Sequence, residues 1–305
     1  MAIPGVSIIG DRINPGFKTT KALVEAEDIA GLQALAVRQV QAGAWCLDVT
    51  VGSRGYQDSL FLTEVIKALQ AAVDVPLCFD YPSAAVQEVC LKAYDPSKAQ
   101  GRRPVVNSIA ETRQEMFDLA KIQPFQAIVM ASERLEDGSP KSNKLTGEVL
   151  GVAQRMTKKL TSECGLSNDD IFVDITIHSV VSDLEGLTKM ALDAIRAVNQ
   201  DPELKGVHII GGMTNIGNML PPLKFNGVKV RQLFENAFLT LAVPLGFDTI
   251  MGTPWNDFQI LPDDNIVLQT LNDFLSLSGL NAIRRLRQLW ANAPKVKPSA
   301  EKQTV

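Results

Sequence analysis

The sequence predicts a TIM barrel, a (β/α)8 fold of the α/β class, from two features that recur along the chain. Eight short apolar runs occur within the 305 residues, and most are near-continuous rather than alternating. Such runs are typical of parallel strands that are covered on both faces. The stretches between them carry apolar residues at spacings of three and four, as amphipathic helices do. A strand followed by a helix, repeated eight times, favours a closed barrel.

The predicted strands lie at residues 6–13, 46–51, 76–80, 104–109, 127–131, 171–177, 207–212 and 249–253. The predicted helices lie at residues 28–42, 59–72, 83–93, 112–121, 145–163, 184–199 and 230–243, with terminal helices at 263–293. Residues 1–293 are therefore expected to form one domain, and the polar tail 294–305 is expected to fray. Residues 132–144 are predicted to form a long loop that could act as a mobile lid, and residues 220–227 a second loop.

A doubly wound open sheet is the alternative fold. That fold needs no eighth strand, and it usually carries a glycine-rich phosphate loop directly after the first strand. Here the first apolar run ends in the residues I-G-D-R-I-N at positions 9–14, which do not match G-x-G-x-x-G. The barrel is therefore favoured.

Charge and composition exclude several classes of protein. A net charge of -4 and a pI near 5.4 leave no basic footprint for nucleic acid. No apolar run approaches the length of a membrane span, and the N-terminus lacks a signal-peptide pattern. We therefore expect a cytoplasmic protein without a nucleic-acid or membrane partner.

The cysteines and histidines do not form a metal-binding pattern. The cysteines, none of them in a C-x-x-C pair, are Cys46, Cys78, Cys90 and Cys164. They are expected to be free thiols, mostly buried. The histidines are His178 and His208, some thirty residues apart, and each is expected to be an ordinary packed side chain. We therefore predict no bound metal.

Polar residues stand where the predicted strands end, which is the end of a TIM barrel that builds active sites. These residues are Asp11, Asn14, Asp48, Asp80, Asn107, Asp174 and Asn215. Aspartate and asparagine go against strand propensity, and a buried carboxylate must find donors or shift its pKa. Any one of them could instead cap the following helix. Because such residues stand at several strand ends, a shared binding site is favoured over separate helix caps.

The residue types at these positions also limit the chemistry. No lysine stands at a strand end, which argues against a Schiff-base aldolase, and a two-metal hydrolase would need histidines beside the carboxylates. Carboxylates combined with amides suit a neutral heterocycle rich in donors, such as a 2-amino-4-oxo-pyrimidine ring. Gly211-Gly212, after the seventh strand, would let the backbone approach such a ligand closely.

Six motifs in order resemble those of the methyltetrahydrofolate:corrinoid methyltransferases, pterin-binding barrels related to dihydropteroate synthase. They are I-G-D-R-I-N at 9–14, A-G-A-W-C-L-D-V-T at 42–50, P-L-C-F-D at 76–80, V-V-N-S at 105–108, I-F-V-D at 171–174 and G-G-M-T-N at 211–215. The resemblance extends from about residue 6 to residue 255. Three positions depart from the family pattern: Asp11 replaces a glutamate, Thr50 an asparagine and Thr214 a serine.

The resemblance assigns roles to residues at these positions. It implies that Asp80, Asn107 and Asp174 hold the pterin ring. It also implies that Asn215 forms a hydrogen bond near pterin N5 and is catalytic. The other predicted folate-binding residues are Gly212, Arg231, Asp11, Asn14 and Asp48.

The implied activity is methyl transfer between N5 of tetrahydrofolate and the cobalt of a corrinoid. The D-x-H-x-x-G cobalamin motif is absent, so the corrinoid is expected on a separate partner protein. The expected direction is from methylcorrinoid to tetrahydrofolate, in a demethylation pathway, and the family suggests a homodimer. The alternatives are transfer from methyltetrahydrofolate in acetogenesis, a dihydropteroate synthase, a non-catalytic pterin-binding barrel and, least favoured, a metal-dependent hydrolase. A dihydropteroate synthase should carry a lysine after the seventh strand, where the sequence reads G-G-M-T.

Overall fold

The computed structural model describes residues 3–225 and 227–291, in which eight parallel strands close into one barrel. The barrel strands are β1 (Ser7–Ile13), β2 (Cys46–Val49), β3 (Leu77–Asp80), β4 (Val105–Ile109), β5 (Gln126–Met130), β6 (Ile171–Asp174), β7 (His208–Gly212) and β8 (Thr249–Gly252). Each strand pairs with the next along the chain, and β8 returns to pair with β1. The predicted TIM barrel is therefore confirmed.

Helices connect the strands on the outside of the barrel. The α-helices are α1 (Lys18–Glu25), α2 (Ile29–Gln41), α3 (Arg54–Gln57), α4 (Ser59–Ala72), α5 (Ala84–Ala93), α6 (Thr146–Cys164), α7 (Leu187–Gln200), α8 (Val230–Ala242), α9 (Ile266–Ser276) and α10 (Gly279–Ala291). Single 3₁₀ segments lie at Pro96–Ala99, Gln114–Lys121, Asn168–Asp170, Pro202–Leu204, Met213–Asn215 and Val243–Leu245. Within the described ranges, none of the helices combines the length and the apolar character needed to cross a bilayer.

The segment predicted as an α-helix at 112–121 is instead the 3₁₀ helix Gln114–Lys121. Its buried residues are Met116 and Leu119, three positions apart. A helix with three residues per turn places both on the same side, towards the barrel. The 3₁₀ helix therefore buries both side chains without an α-helix.

Helix α7 begins at Leu187, three residues later than the predicted start at 184. Gly186 precedes it with a φ of +79°, which breaks the helical path. The buried carboxylate of Asp183 accepts hydrogen bonds from the backbone nitrogens of Leu187 and Thr188, both at 2.7 Å. These bonds satisfy two of the amides that a helix start leaves without partners.

Segment 132–144 contains an antiparallel hairpin, so the prediction of a long loop without secondary structure is wrong. Strands Glu133–Glu136 and Ser139–Ser142 pair across a two-residue turn, Asp137-Gly138. Both turn residues have positive φ, 51° and 75°, as a type I′ turn requires, and Asp-Gly favours that turn. The Asn143 amide ties the hairpin to the barrel by donating to the Ala131 carbonyl at 2.9 Å.

Two further predictions touch residues outside the described ranges. The predicted loop 220–227 contains the strand Lys224–Phe225, which pairs with Val228–Lys229, while Asn226 between them is not described. The predicted tail 294–305 and the last two residues of the predicted terminal helices also lie outside the described residues.

The apolar core divides into an outer part, between strands and helices, and an inner part. The inner part, called here the floor, takes one buried residue from each of seven strands: Ile9, Cys46, Cys78, Val105, Ile128, Phe172 and Ile210. Met251 of β8 packs against them, as does Trp45. Phe172 stacks on both Trp45 and His208, with centroid distances of 6.0 and 4.8 Å. The floor therefore fills the middle of the barrel with side chains.

Candidate active site

A layer of side chains lies directly above the floor, towards the carboxyl ends of the strands. Side chains two positions apart on a strand point to the same side. Counting two residues on from the floor positions gives Asp11, Asp48, Asp80, Asn107, Met130, Asp174, Gly212 and Thr253. This set is called here the rim layer. It contains six of the nine residues that the sequence singled out, and the alternation of side chains along the strands brings them to about the same level.

The paired strands are irregular at this level. The β1–β2 register shifts between Gly10 and Ile13, and the β4–β5 register shifts between Asn107 and Ile109. A bulge of this kind re-aims the side chains beside it, and bulges are common next to active sites. Asp11 and Asn107 both lie at such irregularities.

A cavity of about 130 Å³ opens above the floor and joins four of the predicted residues. Its walls include Asn107, Asp174, Gly212 and Asn215. Asn215 ends the 3₁₀ helix Met213–Asn215, which follows β7 directly. A Cβ added at Gly212 would lie 3.0 Å from Nδ2 of Asn215, so the glycine makes room for this amide at the cavity wall.

Asp48 and Asp80 flank Asn107 in the rim layer. The Asn107 amide donates to Oδ1 of Asp48 at 3.3 Å, and Asp80 is the residue paired with Asn107 between β3 and β4. Burial raises the pKa of Asp48 well above its ordinary value, and the nearby Asp80 carboxylate raises it further. Burial also raises the pKa of Asp80, against the opposing charge of Arg113. The pair therefore holds protons more tightly than free carboxylates do.

Asp174 forms the opposite wall of the small cavity. Burial raises its pKa to about 6, against the stabilising hydrogen bond that the Thr176 backbone nitrogen donates at 2.8 Å. The Thr176 hydroxyl is itself buried, and it has no hydrogen-bond partner among the described residues. The cavity thus offers one carboxylate acceptor, two side-chain amides and an unused hydroxyl, a set that suits a neutral polar heterocycle.

Asp11 turns towards β8, where Thr253 donates to its Oδ1 at 3.0 Å. Burial raises the pKa of Asp11, and the hydrogen bond from Thr253 opposes that shift. Thr253 was missed in the sequence analysis, although the two-residue step from Met251 leads directly to it.

A second cavity, of about 510 Å³, lies beside the first, on the side of β1 and β8. Its lining includes Arg12, Phe17, Lys224, Lys229, Arg231 and Trp255. Arg231 Nη2 donates to the Thr214 carbonyl and to Oδ1 of Asn218, both at 2.7 Å. Thr214 lines this cavity, while its neighbour Asn215 lines the smaller one.

Arg231 is held by close packing and by a buried acid. A Cβ at Gly217 would lie only 2.2 Å from Cγ of Arg231, so the arginine needs a glycine there. Glu235, 2% exposed, lies 3.7 Å from Nε of Arg231 and accepts from the Asn256 amide at 3.2 Å. Burial raises the pKa of Glu235 to about 7. The sequence analysis missed Glu235 because a glutamate on an amphipathic helix is usually exposed.

Asn14 does not line either cavity. Its Oδ1 accepts from the Gly16 backbone nitrogen at 2.8 Å in the turn after β1. His208 lies at the start of β7, below the floor, where Nδ1 is 2.7 Å from Oδ2 of Asp248. The four cysteines are free thiols. Within the described ranges, no three His, Cys, Asp or Glu side chains group closely enough to hold a metal ion.

The structure is that of a TIM barrel with a cluster of hydrogen-bonding groups at the carboxyl end of its strands, above a filled floor. A family model described as pterin binding enzyme matches residues 16–251, well over half of the chain. The chain therefore belongs to the family of pterin-binding enzymes.

Two relatives share sequence over most of this chain. The methylcorrinoid:tetrahydrofolate methyltransferase of Eubacterium limosum is 26% identical over 256 residues, covering 81% of this chain and 84% of that protein. The methionine synthase of Mycobacterium leprae (strain TN) is 24% identical over 257 residues, covering 81% of this chain and 20% of that protein. The second match is thus to a fifth of a much longer protein.

Solved structures of dihydropteroate synthases share the fold. The enzyme from Xanthomonas albilineans in complex with 7,8-dihydropteroate has a TM-score of 0.53 at 15% identity, covering 96% of this chain and 97% of that one. The enzyme from Thermus thermophilus has a TM-score of 0.55 at 18% identity, covering 94% and 93%. At these identities the likeness concerns the fold alone.

Proposed function

We propose that this protein transfers a methyl group between N5 of tetrahydrofolate and the cobalt of a corrinoid carried by a separate protein. The observation that carries the proposal is the small cavity, where Asn107 of β4, Asp174 of β6 and Asn215 of the 3₁₀ helix after β7 come together. The names of the two relatives, a methylcorrinoid:tetrahydrofolate methyltransferase and a methionine synthase, support the same chemistry.

The rim layer would bind the pterin ring by matching its donors and acceptors. The carboxylates of Asp174 and Asp80 would accept hydrogen bonds from the exocyclic amine and the ring N–H groups. Asn107, held by Asp48 at 3.3 Å, would donate to a ring acceptor. Donors from the ring would replace water around these carboxylates and favour their ionised forms. Binding at several points fixes the orientation of N5, which converts a collision into a directed displacement.

Asn215 would act on the reacting nitrogen. In the direction towards tetrahydrofolate, the methyl carbon bonds to N5 while its bond to cobalt breaks. The electron pair of the broken bond would stay with the corrinoid substrate, and the N5 proton would pass to solvent water. The asparagine amide cannot transfer a proton at neutral pH, but it can donate to N5 or accept from N5–H as the charge there changes. Hydrogen bonds that strengthen in the transition state are the ones that raise the rate.

The direction, partner and assembly are parts of the same proposal. We expect transfer from methylcorrinoid to tetrahydrofolate in a demethylation pathway, as the name of the relative from Eubacterium limosum suggests. The resemblance to that family also leads us to expect a homodimer in the cytoplasm.

The activity is tested with free cobalamins under anaerobic conditions. Methylcobalamin with tetrahydrofolate, and cob(I)alamin with methyltetrahydrofolate, are each followed by the cobalamin spectrum. We expect transfer in both directions, faster towards tetrahydrofolate. Binding of folate by calorimetry without any methyl exchange would favour a pterin-binding scaffold. Formation of dihydropteroate from 4-aminobenzoate and a dihydropterin pyrophosphate would favour the synthase.

Asn215→Ala tests the role at N5. We expect kcat to fall about tenfold or more, because a hydrogen bond made mainly in the transition state is lost, while folate affinity changes less. Asn272→Ala, on the exposed face of α9, is the matched control and should leave kcat unchanged. A kcat within about threefold of wild type would remove Asn215 from the mechanism.

A further inference from the structure

Thr176, two residues after the end of β6, has a backbone conformation that a β-branched residue rarely adopts. Its φ is +56°, in the left-handed region, where threonine is strained and glycine is not. Residues held in this way cluster at ligand sites, because only the surrounding structure keeps them there. Thr176 lines the small cavity together with Asp174, so the strained residue lies in the wall of the candidate site.

The backbone of Thr176 explains the left-handed turn but does not explain the threonine. Its N–H donates to Oδ1 of Asp174 at 2.8 Å, and this bond holds the carboxylate against the turn. Glycine would adopt the same φ without strain and would supply the same N–H. What threonine adds at this position is a methyl group and a hydroxyl. The side chain must therefore contribute something that offsets the strain.

The hydroxyl of Thr176 is buried and has no hydrogen-bond partner among the described residues. A buried polar group in this state destabilises the folded chain, because its hydrogen bonds to water are not replaced. The other polar side chains in the described cavity wall each have a hydrogen-bond partner: those of Asn107, Asp174 and Asn215. Packing alone would not need a hydroxyl here, so a partner supplied by a ligand is favoured.

A heterocycle in the small cavity can supply that partner. The hydroxyl and the methyl group of threonine are similar in size, and rotation about the Cα–Cβ bond lets either of them face the cavity. In a 2-amino-4-oxo-pyrimidine ring, the exocyclic amine and the neighbouring ring N–H are flanked by acceptors, a ring nitrogen on one side and a carbonyl oxygen on the other. When Asp174 accepts from those two donors, the next group along the ring edge is an acceptor, to which a hydroxyl can donate.

We propose that Thr176 is a specificity-determining residue of the pterin site, and that its hydroxyl donates to a ring acceptor beside the donors that Asp174 binds. This rests on the proposed function. The left-handed turn then serves both residues: the backbone N–H holds the Asp174 carboxylate, and the side chain binds the neighbouring ring atom. The hydroxyl acts in binding and takes no part in the transfer of the methyl group.

The test compares three variants of Thr176 by calorimetry with tetrahydrofolate and by urea unfolding. Thr176→Val keeps the shape and the strain but removes the hydroxyl, so affinity should fall about tenfold without a lower urea midpoint. Thr176→Gly removes the hydroxyl and the strain, so affinity should fall as much while the urea midpoint rises. Thr176→Ser keeps the hydroxyl and should bind within about threefold of wild type. In methyl transfer, the valine and glycine variants should raise KM for tetrahydrofolate and leave kcat nearly unchanged.

A smaller ligand locates the contact within the folate. 6-Methyltetrahydropterin carries the pterin ring without the aminobenzoyl and glutamate groups. Thr176→Val should weaken its binding by the same factor as the binding of tetrahydrofolate. A loss that appears with tetrahydrofolate alone would overturn the contact with the pterin ring.

Thr188 provides the matched control. Its hydroxyl is also buried without a partner among the described residues, and its backbone N–H also donates to an aspartate, Asp183, at 2.7 Å. Thr188 lines neither of the two cavities, so Thr188→Val should leave the affinity for tetrahydrofolate unchanged.

The outcomes separate this proposal from the proposed function. Affinity of Thr176→Val within about twofold of wild type would overturn the assignment of Thr176 and leave the methyl transfer standing. An equal loss of affinity in Thr188→Val would also overturn it, because any buried threonine would then have the same effect. Failure of wild type to bind tetrahydrofolate would refute the proposed function, and the role of Thr176 with it.

Discussion

The two ends of the barrel carry aspartates that differ in how many hydrogen-bond donors surround them. Asp248, just before β8 at the amino end, accepts from His208 at 2.7 Å, from the Ile209 nitrogen at 3.1 Å and from the Thr249 hydroxyl at 2.9 Å. Asp174, at the carboxyl end of β6, accepts from the Thr176 nitrogen, and burial raises its pKa to about 6.

This difference in the number of donors distinguishes a carboxylate that stabilises the fold from one that is available to a ligand. A buried carboxylate with several donors stabilises the folded chain, whereas one that lacks donors destabilises it when ionised. The rim layer contains Asp11, Asp48, Asp80 and Asp174, and burial raises the pKa of each. These groups have hydrogen-bonding capacity left for a ligand.

The largest effect is expected from Asp174→Asn. Asparagine keeps an oxygen for the Thr176 nitrogen but loses the charge that the pterin donors need, so folate should bind about 50-fold more weakly. Stability should rise by on the order of 1 kcal/mol at pH 7.5, because a pKa raised to about 6 makes the ionised form unfavourable in the fold. Calorimetry and urea unfolding measure the two effects.

Asp248→Asn is the matched control at the other end. It should destabilise the fold and leave folate affinity unchanged, because the carboxylate there is satisfied and lies below the floor. If Asp174→Asn lowered stability as much as Asp248→Asn does, the contrast between the two ends would be wrong.

A smaller effect is expected on lowering the pH. As the pH falls through about 6, Asp174 gains a proton and loses its charge, so kcat/KM for tetrahydrofolate should fall up to tenfold per pH unit. In Asp174→Asn this acid limb should be missing. An unchanged limb in that variant would assign the titration to another group. Initial rates measured from pH 5 to pH 8 decide between the two.

The smallest effect is expected from His208→Gln, which concerns stability alone. The hydrogen bond to Asp248 raises the pKa of His208, so its contribution is complete below the ordinary pKa near 6.5 and disappears as the pH rises through the raised value. The variant should therefore be less stable by about 1 kcal/mol at pH 5.5, and closer to wild type at pH 9. Urea unfolding at both pH values measures this, and an equal loss at both would contradict it. Methyl transfer should not change.

Sequence reasoning recovered the parts of the molecule that local pattern determines. Near-continuous apolar runs predicted the eight strands. Polar residues within those runs predicted that Asp48, Asp80, Asn107 and Asp174 lie at the carboxyl ends of the strands. The hairpin 132–144 was missed although its Asp-Gly turn is a local signal. The sequence could not predict that Glu235 is buried or how Arg231 is held. Both depend on the packing of α8 against the loops after β7 and β8.

The filled floor limits how solvent and ligands can reach the rim layer. With Trp45, Phe172 and His208 stacked beneath the rim layer, solvent and ligands reach the buried carboxylates from one side only. Under the proposed function, folate and the corrinoid protein would both approach the site from that one end of the barrel. If the proposed function holds, the folate would have to bind before the partner docks and could leave only after the partner has dissociated.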